Sequence, residues 1–248
     1  MILNKLKPKF KKKHNPRIGL ITLATDFRIE KDFNNLIYGK NIDLFVNRIH
    51  SYNPLTNETL AKMADNITNV TKEILPNEKL DCVAYGCTSG TVAVGYDSIK
   101  EKIKKAKPEA KVTTPITSAV KALKKMNIKN ISIFTPYTES INHTVIEYFK
   151  DSGINIKALH YFNIASDIDI GKVDDNYLLE VLSNLDLNES EALFISCTAL
   201  PALDLIEKLE KKLNKIVLSS NQTLIWEALN LIGNKNPVVG FGKIFEVN

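Results

Sequence analysis

AYGCTSGT, residues 84–91, completes a short apolar run that starts at Leu80 and leads at once into a segment with helical periodicity. This change of period predicts a strand that turns into a helix, with Cys87 at the turn. In a parallel α/β domain the turn lies at the carboxyl end of the strand, the edge where open sheets bind ligands. Backbone N–H groups of the first helical turn point at that edge and favour a thiolate or a bound anion.

A second stretch has the same design. FISCTA, residues 194–199, ends an apolar run at Cys197-Thr198, and a helical pattern follows. A single Cys-Thr could merely begin a helix, with the threonine as its cap. Two copies in matching contexts favour a functional pair of cysteines.

Other strands recur in the same order and at nearly constant spacing. RIGLITL at 17–23 resembles NISIFTP at 130–136, and KVTTP at 111–115 resembles KIVLS at 215–219. We interpret the chain as a duplicated α/β unit. The prediction is two pseudo-symmetric Rossmann-like domains, each with a four-stranded parallel sheet flanked by helices, and an active site in the cleft between them.

The expected domains are a basic flexible tail at 1–16, a first α/β domain at 17–114 plus 222–248, and a second at 115–221. Strands are expected at 18–23, 42–49, 80–85, 112–114, 131–135, 156–161, 193–195 and 216–218. Helices are expected at 30–38, 56–75, 91–106, 118–126, 139–150, 173–185, 200–213 and 223–232. The segment 162–172 is irregular and polar, and it is long enough to close over a cleft.

Composition and charge exclude several classes of protein. No apolar run reaches the roughly 18 residues that cross a bilayer. Three cysteines without CxxC spacing argue against a disulfide framework and suit a reducing cytoplasm, and Cys82 is expected to be a buried apolar residue. The net charge of +5 comes from the first 17 residues, which carry seven basic side chains and no acidic one. We interpret this tail as a solvated arm and expect neither a nucleic-acid nor a membrane partner.

Common cofactor and metal motifs are absent from the sequence. It has no GxGxxG between a strand and a helix, no P-loop and no HExxH, and its four histidines show no metal spacing. No cofactor and no metal are therefore expected. Chemistry must come from thiols, hydroxyls and backbone amides.

Two thiols that face one another suit the removal and return of a proton on opposite faces of a carbon acid. The enolate formed from a substrate carboxylate needs N–H and O–H donors, and Thr88, Ser89, Thr198 and Ala199 lie where they could supply them. A thiolate can also add to an electron-poor double bond.

Six motifs along the chain carry a resemblance to a known family. They are ATD at 24–26 with Glu30, YGCTSGT at 85–91, TPIT at 114–117, TPYT at 135–138, FISCTAL at 194–200 and SSNQ at 219–222. From about 17 to 245 the chain resembles the Asp/Glu racemase superfamily. Within it, the resemblance is to the arylmalonate decarboxylase and maleate cis-trans isomerase family, most of all to ectoine-utilisation proteins of the EutA type.

This resemblance implies a cofactor-independent enzyme in which Cys87 and Cys197 carry the chemistry. It implies a carboxylate pocket from Thr88, Ser89 and Thr198, a hydrogen bond from Tyr137, an asparagine at position 163 (Asn163) that holds substrate, and a homodimer. Arylmalonate decarboxylases keep only the second cysteine, whereas this chain has both. Pure decarboxylation is therefore disfavoured.

One departure from the family pattern concerns the substrate. Where maleate isomerases carry an asparagine that binds a substrate carboxylate, this chain has Asp26. An ionised Asp26 would repel a second carboxylate and attract an ammonium group. Asp26 could instead only cap the helix that contains Glu30.

Three hypotheses follow for a small carboxylate ligand. The first is a racemase or epimerase of an amino acid or acylated diamino acid, acting in ectoine breakdown with Cys87 and Cys197 as acid and base. The second is a maleate-type cis-trans isomerase, in which Cys87 adds to the alkene and Cys197 supplies a proton, or an arylmalonate-type decarboxylase. The third is a non-catalytic two-lobed binder, which gives no reason for two cysteines at matched turns.

Overall fold

The computed structural model describes residues 3–11, 13–187 and 189–247. Met1, Ile2 and Lys12 of the predicted tail, together with Asn188 and Asn248, lie outside the described residues. The described part of the tail up to Pro16 is exposed and has no regular secondary structure.

The first half of the chain forms a parallel sheet of four strands. They are β1 (Arg17–Leu23), β2 (Asp43–Ile49), β3 (Cys82–Gly86) and β4 (Lys111–Thr113), in the order β2-β1-β3-β4. The helices are α1 (Ile29–Ile37), α2 (Asn57–Met63), α3 (Ile67–Lys72), α4 (Thr88–Val94) and α5 (Tyr96–Ala106). The central strands β1 and β3 are almost entirely buried, as expected for a sheet covered on both faces.

The second half repeats this topology. Its strands are β5 (Asn130–Thr135), β6 (Asn155–Tyr161), β7 (Ala192–Ile195) and β8 (Ile216–Ser219), all parallel, in the order β6-β5-β7-β8. The helices are α6 (Pro115–Lys125), α7 (Glu139–Asp151), α8 (Asp167–Gly171), α9 (Asp175–Ser183), α10 (Ile206–Leu213) and α11 (Ser220–Leu231). The predicted pair of four-stranded parallel α/β sheets is confirmed; the exact domain limits stay a prediction.

Helix α11 links the two halves. It begins at the end of β8 in the second sheet, yet its apolar side chains, among them Leu224 and Ala228, pack in one core with Ile18 and Ala84 of the first sheet. Its first turn therefore lies at the junction of the halves, beside the carboxyl ends of β3 and β7.

Three helix predictions are wrong in detail, and the segment 162–172, expected to be irregular, contains the short helix α8. The helix expected over 56–75 is interrupted by a 3₁₀ turn at Ala64–Asn66, and the one expected over 91–106 begins at Thr88 and breaks at Gly95, where φ is 84°. No helix follows Cys197 directly; a turn leads to a 3₁₀ segment at Leu203–Leu205 and then to α10.

The missing helix after Cys197 has a physical cause. A helix that began at Thr198 would need the N–H of residue 201 to bond the carbonyl of Cys197, but that residue is Pro201 and has no N–H. Cys197 itself takes a φ of 94°, a left-handed value that is rare for a residue other than glycine. Backbone strain of this kind is concentrated at functional sites.

Within the part of the chain that the structure describes, no helix is both long and apolar enough to cross a membrane.

Candidate active site

Both predicted cysteines lie buried at the carboxyl ends of equivalent central strands. Cys87 follows β3 and caps α4, and its Sγ accepts the N–H of Gly90 at 3.2 Å. Cys197 follows β7, and its thiol accepts the N–H of Ala199. Only the turn at Cys87 leads directly into a helix, but at both turns the sulfur accepts one backbone N–H.

Burial opposes the ionisation of both thiols. It raises the pKa of Cys87 to about 12, in spite of the lowering effects of the Gly90 N–H and the Ser89 hydroxyl. Burial also raises the pKa of Cys197 well above its usual value, although the Ala199 N–H and a hydrogen bond from Tyr137 lower it. In the ligand-free protein both cysteines are therefore thiols at neutral pH.

Ser220, the first residue of α11, connects the two cysteine turns. Its Oγ accepts the hydroxyl of Thr88 at 2.8 Å and the backbone N–H of Cys197 at 3.0 Å. Ser220 is fully buried. The Ser220 hydroxyl oxygen thus joins the side chain of Thr88, which follows Cys87, to the backbone of Cys197.

Sequence reasoning did not assign Ser220 to the site. The signal was present, because SSNQ at 219–222 follows a strand and opens a helix just as the cysteine motifs were expected to do. From the sequence, that stretch contributed only to the family resemblance.

A second set of hydrogen bonds supports the turn at Cys197. Asn221 Nδ2 donates to the carbonyl of Thr198 at 2.8 Å and to Oδ2 of Asp32 at 2.7 Å. The hydroxyl of Thr198 reaches across to the carbonyl of Gly86, at 3.4 Å. Burial raises the pKa of Asp32 to about 7, and Asp32 was not predicted for the site.

Thr88 and Thr198, predicted as donors to a substrate carboxylate, therefore have their hydroxyls engaged within the protein. Ser89 remains beside the reacting group, with its Oγ 3.9 Å from Cys87 Sγ. The backbone N–H groups of the first helical turn at Thr88 and Ser89 have no partner inside the helix, so they are available to an anion. Their role in substrate binding stays a prediction.

Tyr137 lies next to Cys197, with which it forms a hydrogen bond, and within electrostatic reach of Cys87. It is 1% exposed, and its pKa is raised by burial and further by the charges of Cys197 and Cys87. Asn163 differs: its side chain is exposed and has no hydrogen bond to another described residue. It adopts a left-handed φ of 62°, and the next residue, Ile164, bonds the carbonyl of Pro136 beside Tyr137.

Asp26 makes the capping contacts at the start of α1 that the sequence allowed, and its role toward a substrate stays a prediction. Its Oδ1 accepts the N–H groups of Arg28 at 2.8 Å and Ile29 at 3.0 Å, at the start of α1. Its Oδ2 is buried and has no hydrogen-bond partner among the described residues. The side chain of Thr198 lies close enough to lower the pKa of Asp26, but burial dominates and raises it. An ionised Asp26, which the sequence argument assumed, is thus disfavoured until a cation lies beside it.

Asp167, at the start of α8, is a second carboxyl group at the site that sequence reasoning missed. It is 3% exposed, and its Oδ2 accepts the hydroxyl of Thr25 at 2.6 Å. Burial raises its pKa to about 6, with a further contribution from the charge of Asp26. Asp167 and Asp26 in turn raise the pKa values of Cys87 and Cys197.

The third cysteine, Cys82, is buried within β3, as expected, and burial raises the pKa of its thiol to about 12. Over the described ranges of the chain, no group of three or more histidine, cysteine, aspartate or glutamate side chains is arranged to hold a metal ion.

This geometry can move protons. It holds two thiols, each with one N–H donor. A tyrosine hydroxyl is hydrogen-bonded to one of them, and two buried carboxyl groups lie within electrostatic reach of both. A small carbon acid bound between the two turns would meet one thiol from each half of the chain.

Comparison with known proteins shows the family of this chain. The sequence profile of the family described as Amdase, arylmalonate decarboxylase, matches residues 34–245. The chain belongs to the arylmalonate decarboxylase family. Similar proteins include the maleate isomerase of Geobacillus stearothermophilus, which is 24% identical over 242 residues that cover 92% of this chain and 96% of that protein. The arylmalonate decarboxylase of Bordetella bronchiseptica is 22% identical over 137 residues, which cover 54% and 57% of the two chains.

Solved structures show the fold of the arylmalonate decarboxylase family in this chain. A variant of the maleate cis-trans isomerase of Nocardia farcinica with a covalently bound succinylcysteine intermediate superposes with a TM-score of 0.86 at 20% identity, covering 94% of this chain and 99% of that one. Unliganded arylmalonate decarboxylase superposes with a TM-score of 0.73 at 18% identity, covering 94% and 100%.

Proposed function

We propose that this member of the arylmalonate decarboxylase family is a cofactor-independent racemase or epimerase of an amino acid or acylated diamino acid, of the EutA type that acts in ectoine breakdown. The observation that supports this most is the pair of buried thiols at equivalent turns, joined through Ser220. Each thiol comes from a different half of the chain, which suits attack on opposite faces of one carbon.

In the proposed reaction, one cysteine is ionised when substrate is bound and takes the α-proton. The other, still a thiol, returns a proton to the opposite face, and the configuration at the α-carbon is inverted. The carbanion is stabilised as an enolate of the substrate carboxylate by N–H and O–H donors. Ser220 accepts two hydrogen bonds and keeps its own hydroxyl proton, so it joins Ser89 and the first turn of α4 as a candidate donor.

The charges around the site favour a substrate with an ammonium group over a dicarboxylate. Asp26 and Asp167 are buried within electrostatic reach of the thiols, and none of the ion pairs among the described residues includes either of them. Arg48 acts on Asp26, but its guanidinium is engaged by main-chain carbonyls and by Glu30. Two carboxylates of a substrate would therefore meet these acidic groups with no basic side chain paired to them.

A second candidate function is cis-trans isomerisation, in which Cys87 adds to the alkene of a diacid and Cys197 supplies the proton. The maleate isomerase of Geobacillus stearothermophilus, which matches nearly the whole chain, favours this alternative. It predicts a covalent thioether on Cys87, whereas the racemase predicts solvent hydrogen at the α-carbon and no adduct.

Proton NMR in D₂O separates the two. The panel is the enantiomers of aspartate and glutamate, N-acetylated 2,4-diaminobutyrate, maleate and a 2-arylmalonate, each with the wild type and with the Cys87→Ser, Cys197→Ser double variant. We expect loss of the α-hydrogen signal of an amino-acid ligand with the wild type alone. Conversion of maleate to fumarate without α-exchange in any amino acid would overturn the proposal.

A further inference from the structure

Asp26 and Asp167 come from opposite halves of the chain and meet at the site. Thr25, next to Asp26 in the chain, donates its hydroxyl to Asp167 at 2.6 Å. The two carboxyl groups are 1% and 3% exposed, and Oδ2 of Asp26 has no hydrogen-bond partner among the described residues. The side chain of Thr198 is close to Asp26, but its hydroxyl donates to the carbonyl of Gly86. A buried carboxylate oxygen without a donor is costly, so this position favours a ligand that supplies one.

The neighbouring arginines cannot supply that donor, because their guanidinium groups are engaged elsewhere. Arg48 donates to the main-chain carbonyls of Leu23 and Asp26 and pairs with Glu30 at 2.8 Å. Arg28 donates to the carbonyl of Gly171 and pairs with Asp175 at 3.3 Å. Both arginines brace the loop around Asp26, and neither pairs with its carboxylate.

We propose that Asp26 and Asp167 together form an acidic subsite that binds the ammonium group of the substrate. The inference rests on the proposed function, since it takes the ligand to be an amino acid, and it adds Asp167 as a specificity-determining residue. One ammonium group has three N–H donors, enough for the free oxygen of Asp26 and an oxygen of Asp167.

Such a subsite couples substrate binding to thiol activation. Both carboxyl groups raise the pKa values of Cys87 and Cys197. At a pH where both carboxyl groups are ionised, a cation between them offsets their negative charge and so opposes the rise that they impose on the thiol pKa values. The ligand would then create the thiolate that the ligand-free site disfavours.

The subsite also makes ammonium binding depend on pH. The groups that act on Asp167 are Thr25 and Asp26, and those that act on Asp26 include the N–H groups of α1, Thr198 and Arg48. Because an ammonium group binds ionised carboxylates best, its affinity should rise as pH rises through about 6, where Asp167 titrates.

Calorimetric binding of matched ligands tests the proposal. The first pair is N-γ-acetyl-2,4-diaminobutyrate and 4-acetamidobutyrate, which differ only in the α-ammonium group; the second is 2-aminobutyrate and butyrate. With the wild type at mildly alkaline pH, each ammonium ligand should bind at least about tenfold more tightly than its partner, the effect of one charge-assisted hydrogen bond. The difference should shrink at mildly acidic pH.

Asp167→Asn is the decisive variant, because asparagine can still accept the Thr25 hydroxyl. It should weaken binding of both ammonium ligands about tenfold or more and leave 4-acetamidobutyrate and butyrate within about twofold. Asp26→Asn should act in the same direction. Asp169→Asn is the matched control: Asp169 lies in the same short helix, is exposed and pairs with Lys172 at 2.9 Å, so its loss should change no affinity.

An equal effect of Asp167→Asn on both members of each pair would overturn the subsite, as would failure of either ammonium ligand to bind the wild type. Failure of the proposed function gives a different result. If ammonium ligands bind in an Asp167-dependent manner but show no α-exchange in D₂O, the subsite stands and the racemase does not.

Discussion

At the scale of single residues, the two thiols are held in surroundings that keep them protonated. Burial raises the pKa of Cys87 to about 12 and that of Cys197 well above its usual value. An exposed cysteine has a pKa of about 8.5. Catalysis by a thiolate therefore requires that substrate change the environment.

This leads to a prediction about the ligand-free enzyme. Its ultraviolet thiolate absorbance should show no titration step at about pH 8.5, because Cys82, Cys87 and Cys197 are all buried. Saturation with an amino-acid ligand that undergoes exchange should produce a step that the Cys87→Ser, Cys197→Ser variant lacks. A titration step at about pH 8.5 without ligand would contradict this prediction.

Ser220 offers a second residue-scale prediction. Ser220→Ala leaves the Thr88 hydroxyl and the Cys197 N–H without their acceptor, both inside the protein. We expect a loss of about 1–3 kcal/mol in the free energy of unfolding and at least about a tenfold fall in kcat, with KM less affected.

Ser132→Ala is the control for Ser220→Ala. Ser132 is also buried in a hydroxyl pair, with Ser190 at 2.8 Å, but in the interior of the second sheet and away from the cysteines. It should reduce stability and leave kcat unchanged. Equal loss of kcat in both variants would show that Ser220 matters only for folding.

Most of what sequence reasoning missed at this scale is contact between distant parts of the chain. Ser220, Asp32 and Asp167 reach the site from α11, α1 and α8. Their positions follow from how two sheets and α11 pack together, which no local period encodes. Cys87 and Cys197 were predictable because each lies within a strand-to-turn pattern that is local.

At the scale of elements, the duplicated order of strands was readable because buried parallel strands are short apolar runs between helical segments. All eight predicted strands appear among the described residues, with ends shifted by a few positions. The helix expected over 200–213 begins only at Ile206, after a 3₁₀ segment, and Pro201 prevents a regular helix from starting at Thr198. The same Pro could have given warning, since it was visible in the sequence.

The first turn of α4 gives a testable element-scale effect. A Cβ added at Gly90 would lie 2.8 Å from Cys87 Sγ and 3.0 Å from the Tyr85 hydroxyl. Gly90→Ala should therefore displace the thiol and abolish most activity, while alanine's helix propensity keeps α4 folded. Activity assays test the expected loss of activity, and far-ultraviolet circular dichroism tests whether the variant keeps its helical structure.

Gly153→Ala provides the contrast. Gly153 has a φ of 80° but open space around its added Cβ, far from the cysteines, so this variant should lose stability through backbone strain and keep its activity. If Gly90→Ala were as active as Gly153→Ala, the position of Cys87 Sγ would not be critical.

At the scale of the whole molecule, the buried acids should make stability depend on pH in an unusual direction. Asp32 has a folded-state pKa of about 7 and Asp167 one of about 6, both raised from 3.8 by burial. Between about pH 4 and about pH 7, the folded protein thus binds more protons than the unfolded chain. Its stability is greatest below about pH 4 as far as these groups are concerned, and it falls as pH rises through about 7.

Asp32→Asn tests this dependence. Asparagine can still accept the Asn221 amide, but it cannot ionise, so the variant should lose less stability than the wild type between about pH 5 and pH 8. The difference is on the order of 1–4 kcal/mol in the free energy of unfolding. Denaturant unfolding at several pH values measures it. Parallel curves for the two proteins would show that Asp32 is not a buried neutral acid.

The central claim concerns the whole molecule: each half supplies one thiol, and the two thiols act on opposite faces of one α-carbon. The most direct test is deuterium exchange from D₂O into each separate enantiomer of the active ligand, with Cys87→Ser and Cys197→Ser as single variants. We predict that each variant exchanges the α-hydrogen of one enantiomer only, that the two variants prefer opposite enantiomers, and that neither interconverts them. The same preference in both variants, or a covalent ligand adduct on Cys87 without exchange, would contradict the account.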